Sequence, residues 1–321
     1  MRMRMKRLAI LMSVLVVMGI FLTGSAFAAY PEKSLNYIIT FNPGGESDIF
    51  ARAQQPLLEK YLGQNVIISY KVGGGGAVGW SEIVKAKPDG YTFAGFNIPH
   101  IILQPMIRKN PGYKTEDLKP VTFFMSTPCV LAVKADSPFK TLDDFVKYAK
   151  DNPGAVTLGG SGSNSANHLG TVIFNKIAET DIVYVPFTGS GEALPALLGG
   201  HVSGLMTYTT MGMQYKNDIR VLAVAADERI DALPDVPTFK ELGYNYSDGA
   251  YRGACVPPET PDEIVNVLFE AFIKVNNEPE FQKKMKALGF ALHNFTPEES
   301  VALVKAKMEE YDHVVKDLEQ N

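Results

Sequence analysis

The chain has 321 residues, 46% of them hydrophobic and 21% charged, which is enough apolar material for a substantial core and about two domains of roughly 150 residues. Its formal net charge of −4 argues against nucleic acid or an anionic membrane surface as partner, so an anionic ligand must be held by local donors. The only two cysteines, Cys129 and Cys255, read either as a disulfide or as two buried thiols, because a chain this long needs no covalent staple.

The N-terminus reads as a secretory leader. "MRMRMKR" supplies four positive charges, "LAILMSVLVVMGIFL" a long apolar run, and "TGSAFAA" small residues at Ala26 and Ala28. We expect a signal peptide over 1–28, cleaved after Ala28, and an exported, soluble mature protein of 293 residues in the periplasm. Loss of the four basic residues takes the net charge from −4 to −8. A retained anchor is the weaker reading, since the run is short for a spanning helix and no cysteine stands near the cleavage point for a lipid.

Beyond Tyr30, strand-like runs alternate with helical patterns. The predicted strands are "LNYIITF" (35–41), "NVIISYKV" (65–72), "YTFAGF" (91–96), "PCVLAVKA" (128–135), "AVTLGGS" (155–161), "DIVYVPF" (181–187), "HVSGLMTY" (201–208), "IRVLAVAA" (219–226) and "YRGACVP" (251–257). The alternation indicates an α/β chain with mainly parallel sheets. A strand–turn–helix pattern restarts near residue 127, where a second sheet is expected to begin. From Pro261 the chain turns mostly helical, and Thr296-Pro297-Glu298-Glu299 reads as a cap with proline at the first helical position.

Chemistry is expected where strands hand over to helices. "FNPGGESD" (41–48), "GGSGSNSANH" (159–168) and "FTGSGEAL" (187–194) combine glycines with small hydroxyl residues, and "KVGGGGAVGW" (71–80) makes a fourth such loop. Glycine lets the backbone approach a ligand, and helix starts present free N–H groups that bind carboxylate or phosphate. Each loop alone is also an ordinary tight turn. Gly74, Gly76 and Gly79 match the G-x-G-x-x-G spacing of dinucleotide-binding proteins, but no ribose-binding acid follows at the required position; Asp89 sits in a polar turn. No G-x-S-x-G elbow occurs, and His100, His168, His201, His293 and His313 show no metal-ligand pattern. Asp48 reads first as a helix cap and His168 as a structural hydrogen-bonding residue. No enzyme reading has a complete set of parts, and neither cofactor nor metal is expected.

In these loops the sequence resembles the solute receptors of tripartite tricarboxylate transporters, the Bug-type extracytoplasmic binding proteins. The matching stretches run in order: "YPEKSLNYIITFNPGGESDIFAR", "LGQNVIISYKVGGGGAVGWSEIVKAKPDGYTF", "LGGSGSNSANHLGTVIF", "DIVYVPFTGSGEALPALLGGHVSGLM", "LPDVPTFKELGY" and "PPETPDEIV". The resemblance implies a two-lobed periplasmic binding protein fold (type II-like), with two mainly parallel sheets, flanking helices and two crossover strands. Lobe one would hold 29–127 plus 254–321 and lobe two 128–253, with "PCVLAV" and "RGACVP" crossing between them. Side-by-side crossing strands would bring Cys129 and Cys255 within reach of a disulfide.

The same resemblance implies a small carboxylate held between the lobes by loop backbones and bridging water. Carried over residue by residue, the ligand set is Phe41, Pro43, Gly44, Gly45, Ser47 and Asp48 from the first loop and Gly75, Gly76, Ala77 and Val78 from the glycine turn. Lobe two adds Ser161, Gly162, Ser163 and Ser165, then Phe187, Thr188 and Gly189, then Thr207 and Tyr208. Asn97 and its neighbours Ile98, Pro99 and His100 are placed to line the pocket as well. Three positions depart from the family pattern. Glu46 stands where a small neutral residue is usual: pointing inward it would repel a carboxylate or select a cationic or hydroxyl-bearing group on the ligand, and pointing outward, the favoured reading, it is a solvated first-turn acid. Ser203 replaces an acid, and Pro56 should kink or delay the first helix. The implied function is delivery of a di- or tricarboxylate, aromatic acid or amino acid by a monomeric receptor to the membrane subunits of a transporter. A ligand-sensing receptor of a signalling system and, less favoured, a dinucleotide-dependent oxidoreductase are the alternatives.

Overall fold

The computed structural model describes residues 30–312 and 315, so the leader and its cleavage point lie outside the described residues. Within the compact unit Lys33–Asn321, ten strands form one mixed ladder of order β2-β1-β3-β9-β4-β7-β5-β6, with β8 and β10 also pairing β4. The first group comprises β1 (Leu35–Ile39), β2 (Val66–Tyr70) and β3 (Thr92–Ile98), all parallel, followed by the antiparallel β9 (Gly249–Val256). The second comprises β5 (Thr157–Gly160), β6 (Val183–Pro186) and β7 (Gly204–Tyr208), parallel to one another, and β8 (Ile219–Val224). This is an α/β fold of two strand groups in one mixed sheet, and among the described residues no helix is long and apolar enough to cross a membrane.

One strand, β4 (Lys119–Lys134), serves both groups. Its stretch from Lys119 to Pro128 pairs antiparallel with β9, whereas Cys129–Lys134 pairs with β7 and β8. The strand starts nine residues before the expected one, because β9 pairs with its first half from Lys119 to Pro128. The ladder absorbs Pro120 at a register shift, where a missing N–H removes no regular pair. Two cores hang from this strand. Phe123 packs with Phe96, Trp80 and Ile101 on one side; Leu131 and Val133 pack with Phe145, Phe174 and Phe239 on the other. The two-residue β10 (Ala291–Leu292), which pairs with Met125 and Ser126, has no sequence signature of its own.

The antiparallel crossing of β4 and β9 is as expected, but the disulfide is not formed: both cysteines are free and fully buried. Cys255 lies opposite Pro120, while Cys129 is nine residues further along β4, opposite Tyr208. At about 3.3 Å per residue that separates them by roughly 30 Å, against a Cα limit near 7 Å for a bridge. The crossing strands are adjacent, but their cysteines sit at opposite ends of the shared ladder.

Among the described residues ten α-helices flank the sheet: α1 (Glu46–Leu62), α2 (Ala77–Ile83), α3 (His100–Ile107), α4 (Leu142–Asp151), α5 (Ala166–Ala178), α6 (Ser190–Leu198), α7 (Thr209–Gln214), α8 (Asp262–Asn276), α9 (Pro279–Ala287) and α10 (Pro297–Asp312). Helix α1 is neither delayed nor ended by Pro56. Both Pro56 and Arg52, whose carbonyl loses its donor, are exposed, so water satisfies the freed oxygen. At α10 the expected cap forms reciprocally: Glu299 N–H donates to Thr296 Oγ1 at 3.1 Å, and Thr296 N–H to Glu299 Oε2 at 2.8 Å.

Candidate functional site

Each strand–helix loop is shaped by short-range chemistry. After β1 the "NPGG" turn uses Gly44 at φ 81°, a left-handed conformation that other residues adopt at a cost, and α1 begins directly behind it. The N-cap is Gly45, not Asp48. Asp48 instead reaches back from the first turn, accepting from Gly44 N–H at 2.8 Å, Arg52 Nε at 2.8 Å and the Tyr70 hydroxyl at 2.5 Å. Its carboxylate is committed to holding the loop.

The loop before α5 is clamped more fully. Asn167 Oδ1 accepts from Ser161 N–H and Oγ at 3.0 and 2.6 Å, and Ser165 caps the helix by accepting from His168 N–H at 3.2 Å. His168 Nδ1 accepts the N–H of Asn164, itself at φ 56°, and the Tyr184 hydroxyl donates to Gly162 O at 2.9 Å. The imidazole stacks on Tyr184 with ring centroids 4.7 Å apart.

These loops meet those of the first lobe. Asn42 Nδ2 donates to Thr188 Oγ1 at 2.5 Å and also to Glu192. Gln104 Nε2 donates to Ser163 O at 2.7 Å, and a Cβ built on Gly162 would lie 3.4 Å from Gly75 Cα. The "GGGG" stretch forms a short 3-10 turn, Gly74–Gly76, with all four glycines at positive φ. Gly76 lies on the Trp80 ring, which donates Nε1–H to Gly95 O at 2.9 Å, and Gly79 packs α2 against Thr40 and Lys71. The glycines thus serve close packing and contact with the facing loop.

Between the loops lies a cavity of about 20 Å³ lined by Phe41, Gly45, Glu46, Ser47, Asn97, His100, Ser161, Ser190, Tyr208 and Arg252. That volume holds about one water. Seven of the residues expected from sequence are brought together here, Phe41, Gly45, Ser47, Asn97, His100, Ser161 and Tyr208, whereas Ile98 and Pro99 stand outside the lining. The structure places Pro43, Gly44, Gly75, Gly76, Ala77, Val78, Gly162, Ser163, Ser165, Phe187, Thr188 and Gly189 around the cavity's rim loops, outside its lining. Thr207, buried on β7 with Oγ1 lacking a hydrogen-bond partner, and Asp48 also stand outside it.

Glu46 does not point outward. It is 3% exposed and forms an ion pair with Arg252, which is 4% exposed. Thr127 Oγ1 donates to Glu46 Oε2 at 3.0 Å and Thr210 Oγ1 donates to Oε1, so α1, both crossing strands and α7 converge on one carboxylate. Arg252 Nη1 donates to Thr127 Oγ1 at 2.6 Å, its guanidinium lies 4.5 Å from the Tyr208 ring centroid, and with the Asn97 amide oxygen turned toward it Nε donates at 3.2 Å. Burial pushes the Glu46 carboxyl above its ordinary range, against the lowering effects of Arg252 and the two threonines. Arg252 escaped the sequence reading. Its one signal was an arginine set among small and apolar residues in a buried strand, "YRGACV", which demands a partner.

His100 is 1% exposed with Nδ1 unpartnered, and burial followed by the Arg252 charge pulls it down to about 3. Burial alone takes His168 down to about 4. Both imidazoles are therefore neutral when folded but protonate near 6.5 when unfolded, so their stabilisation is complete above pH 6.5 and is lost as pH falls toward 4. Asp248 opposes this trend, since burial raises it to about 6 and the folded state binds its proton first. We expect His168→Gln to flatten the acid loss: its stability deficit, measured by urea unfolding, should be smaller at pH 4.5 than at pH 7.5. An equal deficit at both would contradict a neutral His168.

Comparison with known proteins agrees with this architecture. Residues 50–319 match the family described as the tripartite tricarboxylate transporter family receptor. Protein BugT of Bordetella pertussis is 30% identical over 88% of this chain and 89% of its own. Among solved structures, the periplasmic binding protein BugD is 28% identical with a TM-score of 0.85, covering 90% of this chain and 98% of its own. MatC from Rhodopseudomonas palustris, solved with bound malate, is 25% identical with a TM-score of 0.84, covering 89% of this chain and all of its own. Rpa4515 of R. palustris, solved with adipate, is 26% identical with a TM-score of 0.86, covering 90% and 98%. Sequence, fold and cleft thus coincide, and the chain belongs to the tripartite tricarboxylate transporter family of receptors.

Proposed function

We propose that the protein is a non-enzymatic periplasmic receptor that captures a small organic carboxylate between its lobes and delivers it to the membrane subunits of a tripartite transporter. The observation that carries this reading is the convergence of two helix starts, α1 at Glu46 and α6 at Ser190, with the Ser47, Ser161 and Ser190 hydroxyls on one closed cavity. First-turn N–H groups have no intrahelical partner and carry partial positive charge, so a carboxylate there replaces its hydration with fixed donors. Malate and adipate in the related R. palustris structures fit the same chemistry. The lobes are 29–127 with 254–321, and 128–253; the leader is removed after Ala28, and the mature protein acts as a monomer.

Mass spectrometry of solute released on denaturation, paired with thermal shift, tests the reading. A carboxylate is expected in the released fraction, and at 100 times its Kd it should stabilise by about 2.7 kcal/mol. Nucleotides should leave the melting temperature unchanged. Recovery of a nucleotide, or of a cationic solute without a carboxylate, would overturn the proposal.

A further inference from the structure

We infer that Glu46 and Arg252 form a two-signed floor of this cavity, and that they select acids carrying an ammonium or hydroxyl group near the bound carboxylate over plain acids of equal length. The inference rests on the carboxylate-receptor reading and adds the ligand's second functional group.

Arg252 is held on every side. Glu46 and Thr127 occupy its two terminal nitrogens, Asn97 faces Nε, and Tyr208 covers one face. Its charge is neutralised by Glu46, so it offers an incoming solute directional N–H groups rather than a net positive field. Glu46 has the complementary property. Its Oε2 accepts from both Arg252 and Thr127, whereas Oε1 accepts from Thr210 alone. Each carboxylate oxygen accepts about two hydrogen bonds, so Oε1 keeps one acceptor position.

Beside it, His100 is buried with Nδ1 unpartnered and lines the same cavity. A buried polar atom without a partner is costly, and a ligand N–H or O–H would complete the free acceptor position of Glu46, while a hydroxyl, which both donates and accepts, would satisfy Nδ1 in either tautomer. A plain carboxylate brings only acceptors and negative charge; beside Glu46 it would be repelled. An ammonium or hydroxyl group on the same solute turns that repulsion into a charge-assisted hydrogen bond, while its carboxylate lies at the helix starts.

The test uses ligand-stripped, refolded receptor and calorimetric titration with length-matched sets: propionate, lactate and alanine; succinate, malate and aspartate; glutarate, 2-hydroxyglutarate and glutamate. In any set that binds, the hydroxy or amino acid should bind at least about tenfold more tightly than the plain acid, the scale of one added hydrogen bond to a charged group. Glu46→Gln should narrow that gap while leaving the plain acid's affinity equal or higher. The wild-type panel decides the matter even where that variant folds poorly. A plain acid binding as tightly as its substituted partners would overturn the inference and leave the receptor reading standing. Binding by no acid in any set, together with no carboxylate among the solutes released on denaturation, would remove both.

Discussion

Glu46→Ala, with Arg252 left in place, should cost the folded protein about 3–5 kcal/mol, read from urea unfolding at pH 7.5. The expected loss is far above that of a surface ion pair, because both partners are almost fully buried and neither can turn to water. Removing the carboxylate leaves a guanidinium desolvated beneath Tyr208 with only Thr127 and Asn97 as neutral acceptors. It also frees the Thr127 and Thr210 hydroxyls from their common acceptor. The pair itself is not expected to add much net stability, since desolvating two charges offsets their attraction. The apolar double replacement Glu46→Leu with Arg252→Met should therefore regain most of the loss. A single-variant cost below about 1 kcal/mol would mean that water reaches the pair in solution.

How much could be read from sequence depended on whether the cause was local. Gly44 in "NPGG", Ser165 before α5 and Gly189 before α6 lie in turns whose chemistry spans three or four residues, so the loops that open these helices were found in advance, although α1 is capped by Gly45 and not by Asp48. The parallel groups of strands followed from the same alternation. Features set by partners distant in the chain were not found. Glu46 has the pattern of a solvated first-turn acid, and only the approach of β9 and α7 makes it a buried one. Arg252 and the first half of β4 were missed for the same reason: pairing across the crossing strands decides both. The cysteine expectation failed by register, a quantity that adjacency of two segments does not supply.

The second large effect is expected at Gly191, where α6 meets the "NPGG" turn. This residue lies in the first turn of α6, and a Cβ built on it would stand 2.7 Å from Pro43 O and 3.4 Å from Gly44 C and Gly45 N. Those atoms belong to the facing "NPGG" turn, so on the receptor reading the clash arises when the two loops close on a solute. Gly191 is not among the residues at positive φ, and alanine is the better helix former by as much as ~1 kcal/mol. Gly191→Ala should thus leave the ligand-free protein as stable as the parent, or slightly more so. Closure, however, must shift backbone on both sides or stop short, an overpacking cost of about 1–3 kcal/mol. That converts to a roughly 5- to 150-fold weaker Kd for whichever acid in the panel binds most tightly, with urea stability unchanged. Unchanged affinity would show that the ligand-bound state holds the α6 and "NPGG" turns further apart than here. A parallel fall in stability would place the fault in folding instead of closure. The contrast with Glu46→Ala is diagnostic, because that variant loses stability with or without ligand. Floor and rim of the cleft should thus separate by experiment: losing the buried pair costs the fold, whereas filling the glycine contact costs ligand affinity.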